Sequence, residues 1–466
     1  MIETGDRGGD TVMADATYFS GGNTHWAPST TFAAGEPVPS TVDQFHFEID
    51  NLYPASALGP DDYSIHLYSV LHEPEDQGDE PPDNDGDESG TFTYAGGAGA
   101  AATIPKGGTI ESVVVKDDKG NVYFSLTGAF QDPGLADFWS KLQTSGAKAA
   151  LDQLVGNNLT EQGSGQTDYV ETYGQFGTYH LGGGNSFLDI TYSNTTAYAD
   201  GGSDTFIIDQ SGLIGLQLHG GLADGTAAPG EVSTIDFNVA GTLTFQAIDG
   251  FTSFTFTAPG SGGQYNQFIY LHTDQLPGGT TPTFHVTGSA ASHANEIVIV
   301  PTGGGAQHIN LSNVTVSDFT ARLDQAFWFY FAADKTNDTM IGAPHARNVF
   351  QVGSGNDRAI GGHLADVFIA GHGHDYFNGG GGIDVTTYHG GIGHYTVTKL
   401  GAHTYRVHDN RHGSPDGTDT LVNVEYLKFA NATEFIGGNA PVITVGAGVH
   451  THDLALAPTH HFDLFA

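Results

Sequence analysis

The sequence predicts a mainly β protein, in which a parallel β-roll or β-solenoid follows an N-terminal α+β module. Three observations predict this fold class. The 466 residues include 67 Gly and 19 Pro, which indicates many turns between short strands. Asp or Asn recurs every nine residues from Asn348 to Asp384, and a fixed short period is typical of coiled β-structures. Convincing helical periodicity occurs over one stretch, from Gly134 to Leu154.

Composition excludes several classes of partner and site. The chain has 53 Asp plus Glu against 14 Lys plus Arg, a formal net charge of −39, which repels nucleic acid and anionic membranes and attracts divalent cations. Without Cys, disulfides and thiolate metal sites are impossible. No Lys or Arg occurs between Lys148 and Arg322, which argues against a phosphate, nucleic-acid or uronic-acid subsite there. The sequence contains no apolar run long enough to predict a membrane span, and its first residues lack the pattern of a Sec-type signal peptide.

We expect five segments along the chain. They are a degenerate repeat turn at 1–29, an α+β module at 30–175, a β-solenoid at 176–334, a β-roll at 335–387 and a C-terminal cap at 388–466. Alternating apolar residues predict the strands of the module, and the helix follows them. Within the module, Glu73–Glu88 carries nine Asp or Glu and three Pro, so we expect a solvated acidic loop.

The nine-residue repeat has a fixed internal pattern. Glycines stand four and two residues before each acid, except that Leu364 takes the second position before Asp366, and they permit the positive φ values of a tight turn. The residues after the acid form a minimal strand with one inward side chain. The predicted inward side chains are those of Phe350, Ala359, Phe368, Phe377 and Thr386.

Two nonapeptides complete one coil, so acids 18 residues apart face each other. Asp357 is expected to face Asp375, and Asp366 to face Asp384. Facing carboxylates and turn carbonyls form an oxygen cage, for which Ca²⁺ is better suited than Mg²⁺. A weaker third site would pair Asn348 with Asp366, and a metal-free array of Gly-rich turns is the alternative. The candidate ligands are Gly353, Gly355, Asp357, Gly362, Leu364, Asp366, Gly371, Gly373, Asp375, Gly380, Gly382, Asp384 and Asn348.

On this repeat the sequence resembles the RTX, or haemolysin-type calcium-binding, repeat proteins. Asn337–Gly342 resembles a degenerate first repeat, one residue out of phase, and 388–430 is similar to the C-terminal cap of RTX proteins exported by bacterial type I systems, including serralysin-like ones. The resemblance implies calcium as a folding cofactor, type I secretion machinery as a partner and an extracellular location. It also implies an uncleaved C-terminal export signal, which His461–Ala466 fits loosely.

No catalytic motif is found, because the chain has neither H-E-x-x-H nor G-x-S-x-G. We therefore expect a structural or adhesive extracellular protein, and self-association through the turn at Gly5–Met13 is a further expectation. Two other classes stay open, a carrier of haem or another ligand and a glycan-binding or glycan-active protein. The carrier would use residues among His46, Tyr63, His66 and Tyr68. The glycan face would use Tyr265, Phe268, Tyr270 and Trp328.

Overall fold

The computed structural model describes most of the chain between residues 105 and 437, with shorter segments before and after. The described residues are 14–18, 32–42, 46–54, 63–68, 93–94, 105–116, 122–128, 130, 134–156, 159–163, 169–172, 174–221, 230–257, 266–288, 294–317, 319, 327–437 and 443–444. The predicted turn at Gly5–Met13, the acidic loop Glu73–Glu88 and the predicted export signal at 461–466 lie outside them.

Short strands make up most of the described elements. The amino-terminal elements are β1 (Ala14–Tyr18), β2 (Phe32–Val42), β3 (His46–Pro54), β4 (Tyr63–Tyr68), β5 (Thr93–Tyr94), β6 (Pro105–Gly107), β7 (Ser112–Lys116), β8 (Val122–Gly128), α1 (Leu135–Ser145), α2 (Ala147–Val155) and β9 (Thr160–Gln162). The next strands are β10 (Tyr169–Glu171), β11 (Thr178–His180), β12 (Phe187–Asp189), β13 (Thr196–Tyr198), β14 (Thr205–Ile208), β15 (Leu216–His219), β16 (Thr234–Phe237), β17 (Gly241–Leu243), β18 (Phe245–Asp249), β19 (Ser253–Phe256), β20 (Asn266–His272), β21 (His285–Gly288), β22 (Ala294–Val300), β23 (His308–Asn310) and β24 (Thr315–Ser317). The remaining strands are β25 (Phe327–Ala332), β26 (Thr339–Ile341), β27 (Arg347–Gln351), β28 (Ser354–Gly355), β29 (Arg358–Ile360), β30 (Val367–Ile369), β31 (His372–Gly373), β32 (Tyr376–Asn378), β33 (Val385–Thr387), β34 (Tyr395–Lys399), β35 (Thr404–Asp409), β36 (Thr418–Val422), β37 (Tyr426–Phe429), β38 (Ala432–Phe435) and β39 (Ile443–Thr444).

The chain divides into two compact units. The first comprises Met1–Ile235 with Gln246–Phe251, and the second comprises Asp236–Phe245 with Thr252–Ala466. The predicted fold class is confirmed: the protein is mainly β, with parallel solenoid-like sheets and its α-helices towards the N-terminus. Neither of the helices in the described segments has the length and hydropathy needed to cross a membrane.

In the first unit, one large sheet changes from antiparallel to parallel pairing at β1. On one side β1 is antiparallel to β8, and the order continues through β7, β4, β3 and β2. On the other side β1 is parallel to β9, and β11, β13 and β15 follow. Thr160, Thr178 and Thr196 are register partners, so these coils take 18 residues each. The parallel coils therefore begin before residue 176.

The predicted single helix over 134–154 is wrong in one respect, because the structure divides it at Gly146. This residue has φ 89° and ψ 173°, a conformation that glycine adopts without the steric clash of a Cβ. The helical hydrogen-bond pattern cannot continue through it, so α1 ends and α2 begins on either side. The predicted apolar stripe is nevertheless buried along α1, at Leu135, Phe138, Trp139 and Leu142.

The second unit contains the β-roll. A ten-stranded sheet runs in the order β17-β20-β22-β25-β27-β30-β33-β37-β38-β39, and a seven-stranded sheet in the order β23-β26-β29-β32-β36-β35-β34. Phe350 is the register partner of Phe368, and Ala359 is that of Phe377, so the predicted coil of 18 residues is present. The predicted inward side chains, Thr386 included, are fully buried. Phe368 stacks at 5.2 Å on Phe350 and also at 5.2 Å on Phe377, which joins the two sheets.

The parallel coils end in antiparallel additions. In the seven-stranded sheet, β36 pairs with β32 although Thr420 follows Tyr376 by 44 residues, because the hairpin β34–β35 is inserted between them. In the ten-stranded sheet, β37 is parallel to β33 and antiparallel to β38. The last parallel strand of each sheet is thus paired on both sides, which leaves no open parallel edge at this end.

Candidate metal centre

The turns of the β-roll stack along two edges, and each edge carries a ladder of polar side chains. We call Asp338, Asp357, Asp375 and Asp419 the first ladder, and Asn348, Asp366, Asp384 and Glu425 the second ladder. In both, the backbone N–H of one member donates to a carboxylate oxygen of the next. The donor-to-acceptor distances are 2.7, 2.9 and 3.1 Å along the first ladder and 2.7, 2.8 and 2.9 Å along the second.

The second carboxylate oxygen of five ladder residues has no hydrogen-bond partner among the described residues. These are the Oδ2 atoms of Asp338, Asp357, Asp375 and Asp419 on the first ladder and of Asp384 on the second, and all of them are buried. Burial, with a smaller contribution from neighbouring carboxylates, raises the pKa of Asp357 to about 7 and that of Asp384 to about 8. A buried anionic oxygen needs a proton or a cation, because leaving it unmatched is costly.

Of the other two predicted acids, Asp366 has hydrogen-bond partners on both carboxylate oxygens, whereas Oδ2 of Asp375 has none. Burial raises the pKa of Asp375 to about 6 and that of Asp366 to about 7. Asp366 Oδ2 accepts the Gly362 N–H at 2.6 Å, and its Oδ1 accepts the Asn348 side-chain amide at 2.9 Å. Because an amide at Asn348 supplies an N–H where an acid could not, the pair Asn348–Asp366 is satisfied without a cation.

The glycines of the repeat let neighbouring turns approach backbone to backbone. At Gly371 a Cβ would lie 1.9 Å from the Gly353 carbonyl oxygen, and at Gly373, where φ is 135°, it would lie 1.5 Å from the Gly355 oxygen. Along the second edge, a Cβ on Gly382, with φ 109°, would lie 2.5 Å from the Leu364 oxygen. Glycine is therefore required here, because the backbones of neighbouring turns are in direct contact.

All thirteen predicted ligands lie on these two edges. The first edge holds Gly353, Gly355, Asp357, Gly371, Gly373 and Asp375, and β28 pairs there with β31. The second edge holds Asn348, Gly362, Leu364, Asp366, Gly380, Gly382 and Asp384. The structure thus brings together the residues that the nine-residue period predicts, in the two groups expected from two repeats per coil.

The available donor atoms are carboxylate and carbonyl oxygens, which suit a hard cation such as Ca²⁺. Within the described part of the chain, no three His, Asp or Glu side chains converge on a common point. A cation at either edge would therefore depend on backbone carbonyls as well as on one or two carboxylates. The unpartnered Oδ2 atoms and the close-packed glycine-rich turns fit such a cation.

The ladder geometry stands without support from known proteins. Comparison with protein-family models, curated proteins and solved structures gives no match.

Three ladder members, Asp338, Asp419 and Glu425, were not predicted as site residues. Asp338 lies 19 residues before Asp357, one residue out of phase with the repeat. The hairpin insertion places Asp419 and Glu425, respectively, 44 and 41 residues after their ladder neighbours, which hides these two from a search for a period of nine. A weaker signal was available, because an inward Leu follows each of them two residues later, as an inward residue follows each acid of the repeat. Burial raises the pKa of Asp419 well above its ordinary value.

The residues of the two alternative functions are placed as follows. His46 on β3 is the register partner of Tyr68 on β4, and Glu48 on β3 is the register partner of His66 on β4. The side chains of these residues lie outside the part of the structure that is described. Tyr265 lies outside the described residues. Trp328 is 7 % exposed, so it offers little ring surface for stacking on a sugar.

Proposed function

We propose that this chain is an extracellular calcium-binding protein of the RTX kind, whose β-roll is completed by Ca²⁺. The observation that carries the proposal is the set of buried, unpartnered Oδ2 atoms on the two ladders of stacked carboxylates, at Asp338, Asp357, Asp375 and Asp419 on the first and at Asp384 on the second. Bound Ca²⁺ would supply the positive charge that these oxygens lack. The residues that would hold it are Asp357 with Asp375 on the first edge and Asp366 with Asp384 on the second, together with turn carbonyls.

The biological setting we propose follows from the affinity of such sites. Extracellular calcium modules have Kd values of about 10⁻⁴ to 10⁻³ M, so the sites would stay empty in a cytosol and fill outside the cell. A ligand that binds only the folded state stabilises it by mass action. We therefore propose export by a type I system in a loosely folded form, folding on calcium outside, and a structural or adhesive role at a surface.

A calcium titration tests the proposal. EGTA-treated protein is titrated with CaCl₂ while far-UV circular dichroism and the melting temperature are followed, with MgCl₂ at matched ionic strength as the control. We expect the β signal and the melting temperature to rise with calcium and much less with magnesium, because Mg²⁺ dehydrates reluctantly and needs near-ideal octahedral geometry. Equal responses to both salts, or none to either, would contradict a specific calcium site.

A single substitution separates the ladder from general charge effects. In Asp357→Asn the new amide can donate to Asp375 as the Asn348 amide donates to Asp366, so the pair becomes satisfied without a cation. We expect calcium affinity to fall about tenfold and the calcium-free melting temperature to rise by a few degrees, roughly the effect of 1 kcal/mol. Asp137→Asn, at an exposed position on α1, removes the same charge and is the matched control. An identical calcium response in the two variants argues against the first ladder as the site.

A further inference from the structure

The outer face of the seven-stranded sheet carries a continuous row of non-acidic side chains. Strand registers align one outward residue from each of six neighbouring strands, so that the row crosses the sheet from β26 to β34. The outward residues alternate with buried ones along the first five of these strands, and the edge strand β34 is exposed over most of its length. In spatial order the row is Thr339, Arg358, Tyr376, Thr420, Arg406 and Thr398.

This face is electrostatically unlike the protein as a whole. The net charge is −39, yet every outward position of these strands is Thr, Asn, His, Tyr, Arg, Ile or Val, and none is Asp or Glu. The sheet's acids Asp409 and Asp419 are buried instead. Arg358 and Arg406 are both exposed, and the Arg358 guanidinium lies 4.5 Å from the centre of the Tyr376 ring. The face thus presents two cationic groups on a hydroxyl-rich surface.

From this combination we infer that the outer face of the seven-stranded sheet binds an acidic polysaccharide. Guanidinium groups match carboxylate and sulfate groups in geometry and charge. Threonine hydroxyls and asparagine amides both donate to and accept from sugar hydroxyls. Three strand intervals separate Arg358 from Arg406, about 14 Å at the usual strand spacing, so the two arginines can contact acidic groups on different sugars of one extended chain.

The same observations disfavour other polyanions. A nucleic acid carries a charge every ~1.7 Å along a duplex and is normally neutralised by many Lys and Arg, whereas this row offers two. An acidic polysaccharide has fewer charges per unit length and many hydroxyl groups. This face matches it, because it has two charged groups among several hydroxyl-bearing side chains. Asp357 and Asp375 directly precede Arg358 and Tyr376, so calcium on the first ladder would remove negative charge beside the face; this calcium effect rests on the proposed function.

The test compares two double variants of the full chain. Arg358→Gln/Arg406→Gln removes two positive charges from the face, and Lys106→Gln/Lys335→Gln removes two from exposed positions elsewhere. Binding to immobilised hyaluronan, chondroitin sulfate, neutral dextran and single-stranded DNA is measured in calcium and in EGTA. We expect the parent and the lysine variant to bind the two acidic glycans, and the arginine variant to bind at least about tenfold more weakly.

Each other result overturns the inference. It fails if both variants lose affinity equally, if no acidic glycan is bound in either buffer, or if DNA is bound as tightly with the same dependence on the two arginines. It also fails if light scattering shows an arginine-dependent dimer, because the face would then contact a second copy. Melting curves of the same variants with calcium report separately on the proposed function, since an unchanged calcium response in the arginine variant shows that the roll is intact.

Discussion

A single carboxyl group outside the ladders shows how burial governs this protein's chemistry. Glu296, on the outer side of the ten-stranded sheet, is 5 % exposed and has Phe268 and Trp328 as register partners. Burial raises its pKa to about 7, and the neighbouring Trp328 indole opposes the rise only in part. Unlike the ladder acids, Glu296 has no stacked carboxylate beside it. We therefore expect it to respond to pH and not to calcium.

Glu296→Gln tests this expectation. The folded pKa lies above the unfolded value near 4.5, so the folded state holds the proton more tightly and Glu296 destabilises the protein progressively as the pH rises from about 4.5 to above 7. The amide does not titrate, so the variant should be more stable than the parent at pH 8, by about 2 kcal/mol, and similar to it at pH 5. Denaturant unfolding of both proteins at the two pH values, at saturating calcium, measures the difference. A constant difference between the two pH values would show that the carboxyl group does not titrate as expected.

At the scale of the element, the turn is set by backbone contact between stacked coils. Gly373 lies so close to Gly355 that a methyl group has no space, and its φ of 135° is unfavourable for any other residue. The turn must therefore move if a side chain is added. Since the carbonyls of these turns are the proposed calcium donors, a displaced turn should affect both stability and calcium binding.

Gly373→Ala should destabilise the calcium-loaded protein by about 2–4 kcal/mol, through strain and a steric clash. Gly305→Ala is the matched control, because a Cβ at Gly305 meets no atom within 4 Å. We expect the control to stay within ~0.5 kcal/mol of the parent. The calcium concentration at the midpoint of the titration should rise for Gly373→Ala alone. Equal effects in the two variants would refute the close approach of the turns.

The coils were predictable from the sequence wherever the repeat length along the chain matches the number of residues between register partners on neighbouring strands. The nine-residue period from Asn348 to Asp384 gives the 18-residue coil and the grouping of ligands on two edges directly. The helix break at Gly146 was not predictable from apolar spacing, because the stripe continues across it. The last ladder members were hidden because an inserted hairpin changes the distance along the chain without changing the position in space.

At the scale of the whole molecule, the dominant force to be balanced is self-repulsion. A formal charge of −39 disfavours any compact state, and the ladders concentrate part of it along two edges. Bound calcium would offset the repulsion locally. Dissolved salt offsets it generally, by screening charges that lie farther apart than the Debye length.

The melting temperature of the EGTA-treated protein should therefore rise when NaCl is increased from about 10 to 150 mM, over which the Debye length falls from about 30 to 8 Å. With calcium saturating, the same increase in NaCl should have a smaller effect, because fewer charges remain unmatched. Differential scanning fluorimetry at four combinations of salt and calcium measures both slopes. A calcium-free melting temperature that does not depend on salt would mean that self-repulsion contributes little to the stability of this fold.

The 18-residue coil also determines how the roll responds to a pulling force. One coil adds a single strand spacing to the stack, about 4.8 Å, but its 18 residues span about 60 Å when extended. Detaching one coil thus lengthens the chain by more than ten times the height that it occupied. A roll held at both ends would yield coil by coil, and each step would have to break the ladder contacts on one edge and then on the other. If the ladders bind calcium as proposed, the same stack would resist a greater load when calcium is present. The calcium concentration of the surroundings would then set the tension at which the roll extends.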